Sequence, residues 1–145
     1  MFCYLKHDYS SNRAIIVSGL HVPSVYKGFA GDNAVGMLGT LIRKGDKDLL
    51  KVVLARAEHS DGALSEGIAE VIEDEIRIDP ENFLISLKDQ PQEVKESVYD
   101  LIEWYDTPEN HKFMDYLKSA SARPETAHIS KELMKVLKAK GTKPR

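Results

Sequence analysis

The chain has 145 residues, 42% hydrophobic and 30% charged, with a net charge of −3; this fits one folded domain and excludes extensive disorder. Its single cysteine, Cys3, excludes an intrachain disulfide, so packing alone must hold the fold. Charge is segregated: 16 acids stand between Glu58 and Glu109 against Arg77, Lys88 and Lys95, a balance of −13, while the flanks carry +10, which disfavours direct nucleic-acid binding and steers a basic partner toward the centre.

Residues 1 to 30 are rich in Tyr, Ser, His, Gly and β-branched residues and are broken at Val22-Pro23. They read as an irregular segment packing on the helical body, with strand character over Arg13 to Val17 and short-helix character over Val25 to Phe29. The longest apolar run here, Ala14-Ile15-Ile16-Val17, is too short for a signal-peptide core or a bilayer span. No membrane span is expected, and the compartment stays open: cytoplasmic as the sequence stands, exported if a leader preceded it.

From residue 31 the apolar spacing turns helical. Ala34, Leu38, Leu41 and Ile42 stand at i, i+4, i+7 and i+8, the spacing of one helix face. The set returns 30 residues on as Leu64, Ile68, Val71 and Ile72, again as Val94, Val98, Leu101 and Ile102, and, after a slip of five, as Ile129, Leu133, Val136 and Leu137. A second series alternates with it: Leu49, Leu50 and Val53; Phe83, Leu84 and Leu87; Phe113, Met114 and Leu117. Asp79-Pro80-Glu81 and Thr107-Pro108-Glu109 open two of these helices with a capping side chain, a proline whose missing N–H breaks no helix bond, and an acid beside the positive helix end.

Two-helix units at this period are the mark of a helical solenoid, in which each unit buries its apolar face against its neighbours. The pattern over residues 32 to 140 resembles HEAT-type helical repeats, with shorter units than that family's and none of the tetratricopeptide Trp, Gly, Tyr and Pro pattern. The resemblance implies an all-α fold of antiparallel helix pairs stacked as a short right-handed α-solenoid over 31–140, ending in a frayed tail at 141–145. A compact helical bundle is the alternative with the same elements.

Chemistry-bearing motifs are sparse. The five histidines never stand as His-x-x-x-His, and His59 with Asp61 lacks a third metal ligand. Gly31, Gly36 and Gly39 match no phosphate-binding loop and suit close helix packing instead. No metal, cofactor or catalytic set is predicted. Glu66, Glu70, Glu73 and Asp74, followed by Glu75, read as the solvated face of the helix whose opposite face carries Ile68 and Ile72. In the aromatic group Trp104, Tyr105, His111, Phe113 and Tyr116, Tyr105 and Phe113 continue apolar faces and read as core. Trp104 falls one position off the face and reads as partly buried, with an exposed anchor of the kind that dominates interface energetics as the alternative.

These features point to a non-enzymatic protein-interaction module that binds a basic protein or peptide through Glu66, Glu70, Glu73, Asp74 and Trp104. A small acidic inhibitor or immunity-type protein is a specialised form of that reading. The rival of a different class is an enzyme whose site is dispersed over His59, Glu66, His111 and Asp115.

Overall fold

The computed structural model describes residues 10–19 and 31–141, and over these residues the chain is all-helical. Eight α-helices follow in order: α1 (Ser10–Gly19), α2 (Gly31–Arg43), α3 (Leu49–Leu54), α4 (Gly62–Ile78), α5 (Pro80–Lys88), α6 (Gln92–Leu101), α7 (Pro108–Ala120) and α8 (Ala127–Gly141), with one 3-10 turn at Ala57–His59. The expected helix starts are built as their residues dictate. Asp79 accepts from the Asn82 amide at 3.1 Å and Thr107 from the Asn110 amide at 3.2 Å, each ahead of a proline at the first helical position.

Both apolar series form the core. Leu38, Ile68, Val98 and Leu133, which hold the same place in successive sets, are fully buried, as are Leu50, Leu84 and Leu117 of the second series. Full burial of a side chain of this size contributes about 1.5–3 kcal/mol, so the recurring spacing is the main term holding the chain together. At the third place of each set, Leu41 and Val71 are buried, but Leu101 and Val136 are only half-buried.

Three pairs of helices that match in sequence run in the same direction. Between α2 and α4, a side chain added at Gly67 would come within 3.3 Å of Val35 and one at Gly39 within 2.9 Å of Val71, while Arg43 meets Asp74 at 2.7 Å. The contacts advance together along both helices, so α2 and α4 are parallel. Between α3 and α5, Lys47 pairs with Asp79 and Lys51 with Asp89 at 2.6 Å. Between α6 and α8, Gln92 reaches Glu132 at 3.5 Å and Lys140 donates to the Asp100 and Ile102 carbonyls at 3.2 and 2.8 Å. The units differ in how they close. α2 packs on α3 and α4 on α5, whereas α6 lies mainly against the 3-10 turn and α4, and α7 pairs chiefly with α8. Phe83 and Phe113 bridge α5 and α7 edge to face, with ring centroids 6.3 Å apart.

Three expectations are corrected. Part of the segment read as irregular, including the strand-like Arg13 to Val17, is helix α1; with no strand to pair with, it packs on α2, its Val17 against the core and Arg13 bonded to Asp46 at 3.0 Å. Val25 to Phe29 and the tail from 142 lie outside the described residues. Glu75, read as solvated, is 3% exposed. Tyr105, read as core, is 49% exposed, while Trp104 is half-buried, as the more ordinary reading of its position had it. The cause is the end of α6: the chain leaves Leu101 with Ile102 extended (φ −72°, ψ 113°), so the helical spacing that carried Tyr105 inward stops before reaching it.

Candidate functional site

The extended stretch after α6 borders a cavity among the described residues. Because α6 stops at Leu101 and α7 starts at Pro108, residues 102–107 span the gap and form one wall of a cleft of about 520 Å³. The C-terminal turns of α4, Pro80 and the N-terminal half of α7 complete its lining. Its volume falls within the range of about 300–1,000 Å³ usual for ligand sites.

The lining is aromatic and acidic. Trp104, Tyr105, Phe113 and Tyr116 supply rings, Ile76 and Pro80 aliphatic surface, and Glu73, Glu103 and Glu109 carboxylates. The rim is fixed by local bonds: Tyr105 donates its hydroxyl hydrogen to Glu103 at 2.8 Å, Asn110 Nδ2 donates to the Tyr105 carbonyl at 2.8 Å, and His111 meets Asp106 at 2.6 Å. Trp104 rests on the end of α8, where even a methyl at Gly141 would come within 3.4 Å of the indole. Burial pushes the Tyr116 hydroxyl above the ordinary phenol range, against the nearby Arg123 guanidinium, which lowers it.

Of the residues singled out in the sequence, Glu73 and Trp104 meet at this cleft. Glu66 and Glu70 lie exposed farther toward the start of α4 and do not line it. Asp74 is spent internally, taking both Arg43 and Arg77. Similar seams use much of the segregated charge: Lys47, Lys51 and Arg123 from the basic flanks pair with Asp79, Asp89 and Glu81 of the acidic centre. Burial pushes Asp79 upward, but Lys47 and the Asn82 amide outweigh it and hold the carboxyl below its ordinary value. Lys51 holds Asp89 down in the same way. The acidic centre is therefore partly a matching half of the helix seams.

The chain matches no family model, and no curated protein or solved structure shows significant similarity to it. Its own geometry must carry the functional reading.

The dispersed residues His59, Glu66, His111 and Asp115 do not form one constellation, although His111 acts electrostatically on Asp115 a turn farther along α7. His59 lies 3.9 Å from Glu58, His111 pairs with Asp106, Asp115 bonds Lys118 at 2.6 Å, and no hydrogen bond or salt bridge joins any two of the four. Among the described residues no three His, Cys, Asp or Glu side chains group as a metal site, and no helix is long and apolar enough to cross a membrane.

Ile76, Pro80, Glu103 and Glu109 were not singled out in the sequence, because only the break after α6 turns them toward a common space. Glu75 was detectable. It stands three residues after Ile72, four after Val71 and seven after Ile68, and so on the buried face. There it accepts from Asn82 Nδ2 at 3.0 Å, and burial pushes its carboxyl above the ordinary range despite that bond.

Proposed function

We propose that the chain is a non-enzymatic protein-interaction module, a short HEAT-like stack of helix pairs that docks a protein partner in the cleft between α4 and the 102–107 stretch. The aromatic cleft carries the reading: a preformed cavity walled by Trp104, Tyr105 and Tyr116 and edged by Glu73, Glu103 and Glu109, with no converging nucleophile, base or metal set beside it. Buried aromatic anchors inside a polar rim are the anatomy of interface hot spots. The parallel course of α2 with α4 and of α6 with α8 supports the stacked reading, in which each pair is covered by the next.

The proposal shifts the contact surface from the outer acids of α4 to the cleft. Affinity capture in low salt, with the wild type and with Trp104→Ala, Glu66→Gln and Glu70→Gln as separate baits, tests it. The expected outcome is one protein retained by the wild type and both glutamine variants and lost with Trp104→Ala. Retention by Trp104→Ala, or loss with Glu66→Gln or Glu70→Gln, contradicts the cleft.

A further inference from the structure

We infer that the cleft's occupant is an arginine side chain of the partner, held between the aromatic walls and the rim carboxylates; the inference rests on the docking role proposed for this cleft.

Charge decides the class of occupant. The lining holds three carboxylates, Glu73, Glu103 and Glu109, against two cations, Arg77 and Lys112. Arg77 is ion-paired with Asp74 on its own helix, so its charge is offset from outside the lining and three carboxylates face Lys112. The hydrogen bond from Tyr105 orients the Glu103 carboxylate without cancelling its charge. An anionic occupant would meet three like charges, whereas a cationic one meets complementary charge.

The rings narrow the choice further. A guanidinium stacks on aromatic faces through its flat, weakly hydrated surface and bonds carboxylates through its fork of N–H donors, so a site offering both suits arginine better than the more strongly hydrated lysine ammonium. The molecule already uses this chemistry at the edge of the same region. Arg123 lies 5.5 Å from the Tyr116 ring centre while Arg123 Nη1 donates to Glu81 at 3.2 Å. Tyr116 is thus already engaged by Arg123, which leaves the rings of Trp104 and Tyr105 to receive a guanidinium from the partner.

Trp104 is the only tryptophan in the chain, so its fluorescence reports on the cleft alone. The full chain is titrated with blocked pentapeptides Ac-Ala-Leu-X-Leu-Ala-NH2, where X is arginine, lysine, citrulline or glutamate. Citrulline keeps the shape of arginine without its charge. The arginine peptide is expected to shift Trp104 emission and to bind at least tenfold tighter than the citrulline and glutamate peptides and several-fold tighter than the lysine peptide. That preference is expected to fall about tenfold in Glu73→Gln/Glu109→Gln and to persist in Glu66→Gln, which lies outside the cleft. Equal binding of arginine and citrulline peptides, or tighter binding of glutamate, overturns the arginine assignment and leaves a docking cleft of other chemistry. If no peptide perturbs Trp104, the arginine assignment falls, while affinity capture judges the docking role separately.

Discussion

Glu75 shows what one residue does when it is placed on the apolar face of a helix. It is buried between α4 and α5, bonded to Asn82, with its carboxyl held above the ordinary value near 4.5. A group whose folded pKa is raised binds its proton more tightly in the folded state, so its contribution is fully present below the unfolded value and is lost as pH rises through the folded one. Glu75→Gln keeps the shape and the acceptor for Asn82 without a charge to desolvate. We predict that it stabilises the protein by about 1 kcal/mol at pH 8 and that the gain disappears near pH 4, as measured by urea unfolding at both values. An equal gain at both pH values would assign the effect to packing. At this scale the spacing of Glu75 from Ile68, Val71 and Ile72 marked it for burial, and reading it as solvated with its acidic neighbours overlooked that signal. The spacing misled at Tyr105, because the helix stops after Leu101, where Lys140 donates to the Asp100 and Ile102 carbonyls from 38–40 residues away, a contact that no local pattern announces.

At the scale of elements, the seam between α2 and α4 rests on glycine. A Cβ at Gly39 would lie 2.9 Å from Val71 Cγ2, whereas one at Gly36, a turn earlier on the same helix, meets nothing within 4 Å. Gly39→Ala is predicted to cost about 1–3 kcal/mol through overpacking. Gly36→Ala should gain about 0.5–1 kcal/mol through reduced chain entropy. Thermal unfolding of the two variants measures the contrast, and equal effects would mean that the helices do not approach as described. The close-packing role of the small residues in α2 was readable from composition, but which glycine lies at the seam was not. The salt bridges Arg43–Asp74, Lys47–Asp79 and Lys51–Asp89 join residues 31, 32 and 38 apart. In sequence they appear only as separated blocks of opposite sign, because pairing across a seam requires the stacking to be known.

For the whole molecule, the all-helical fold of the described residues and the burial of the two apolar series followed from periodicity, which sets the face that each helix turns inward. The cleft followed only in part. Trp104, Phe113 and Tyr116 marked the region, but its shape comes from the extended 102–107 stretch and from α7 pairing with α8. Hydrogen exchange of the chain, alone and with the protein retained by affinity capture, tests the central claim most directly. The cleft predicts added protection at residues 73–80 and 102–116, with no change over 62–70. Protection confined to 62–70, where Glu66 and Glu70 lie, would contradict it.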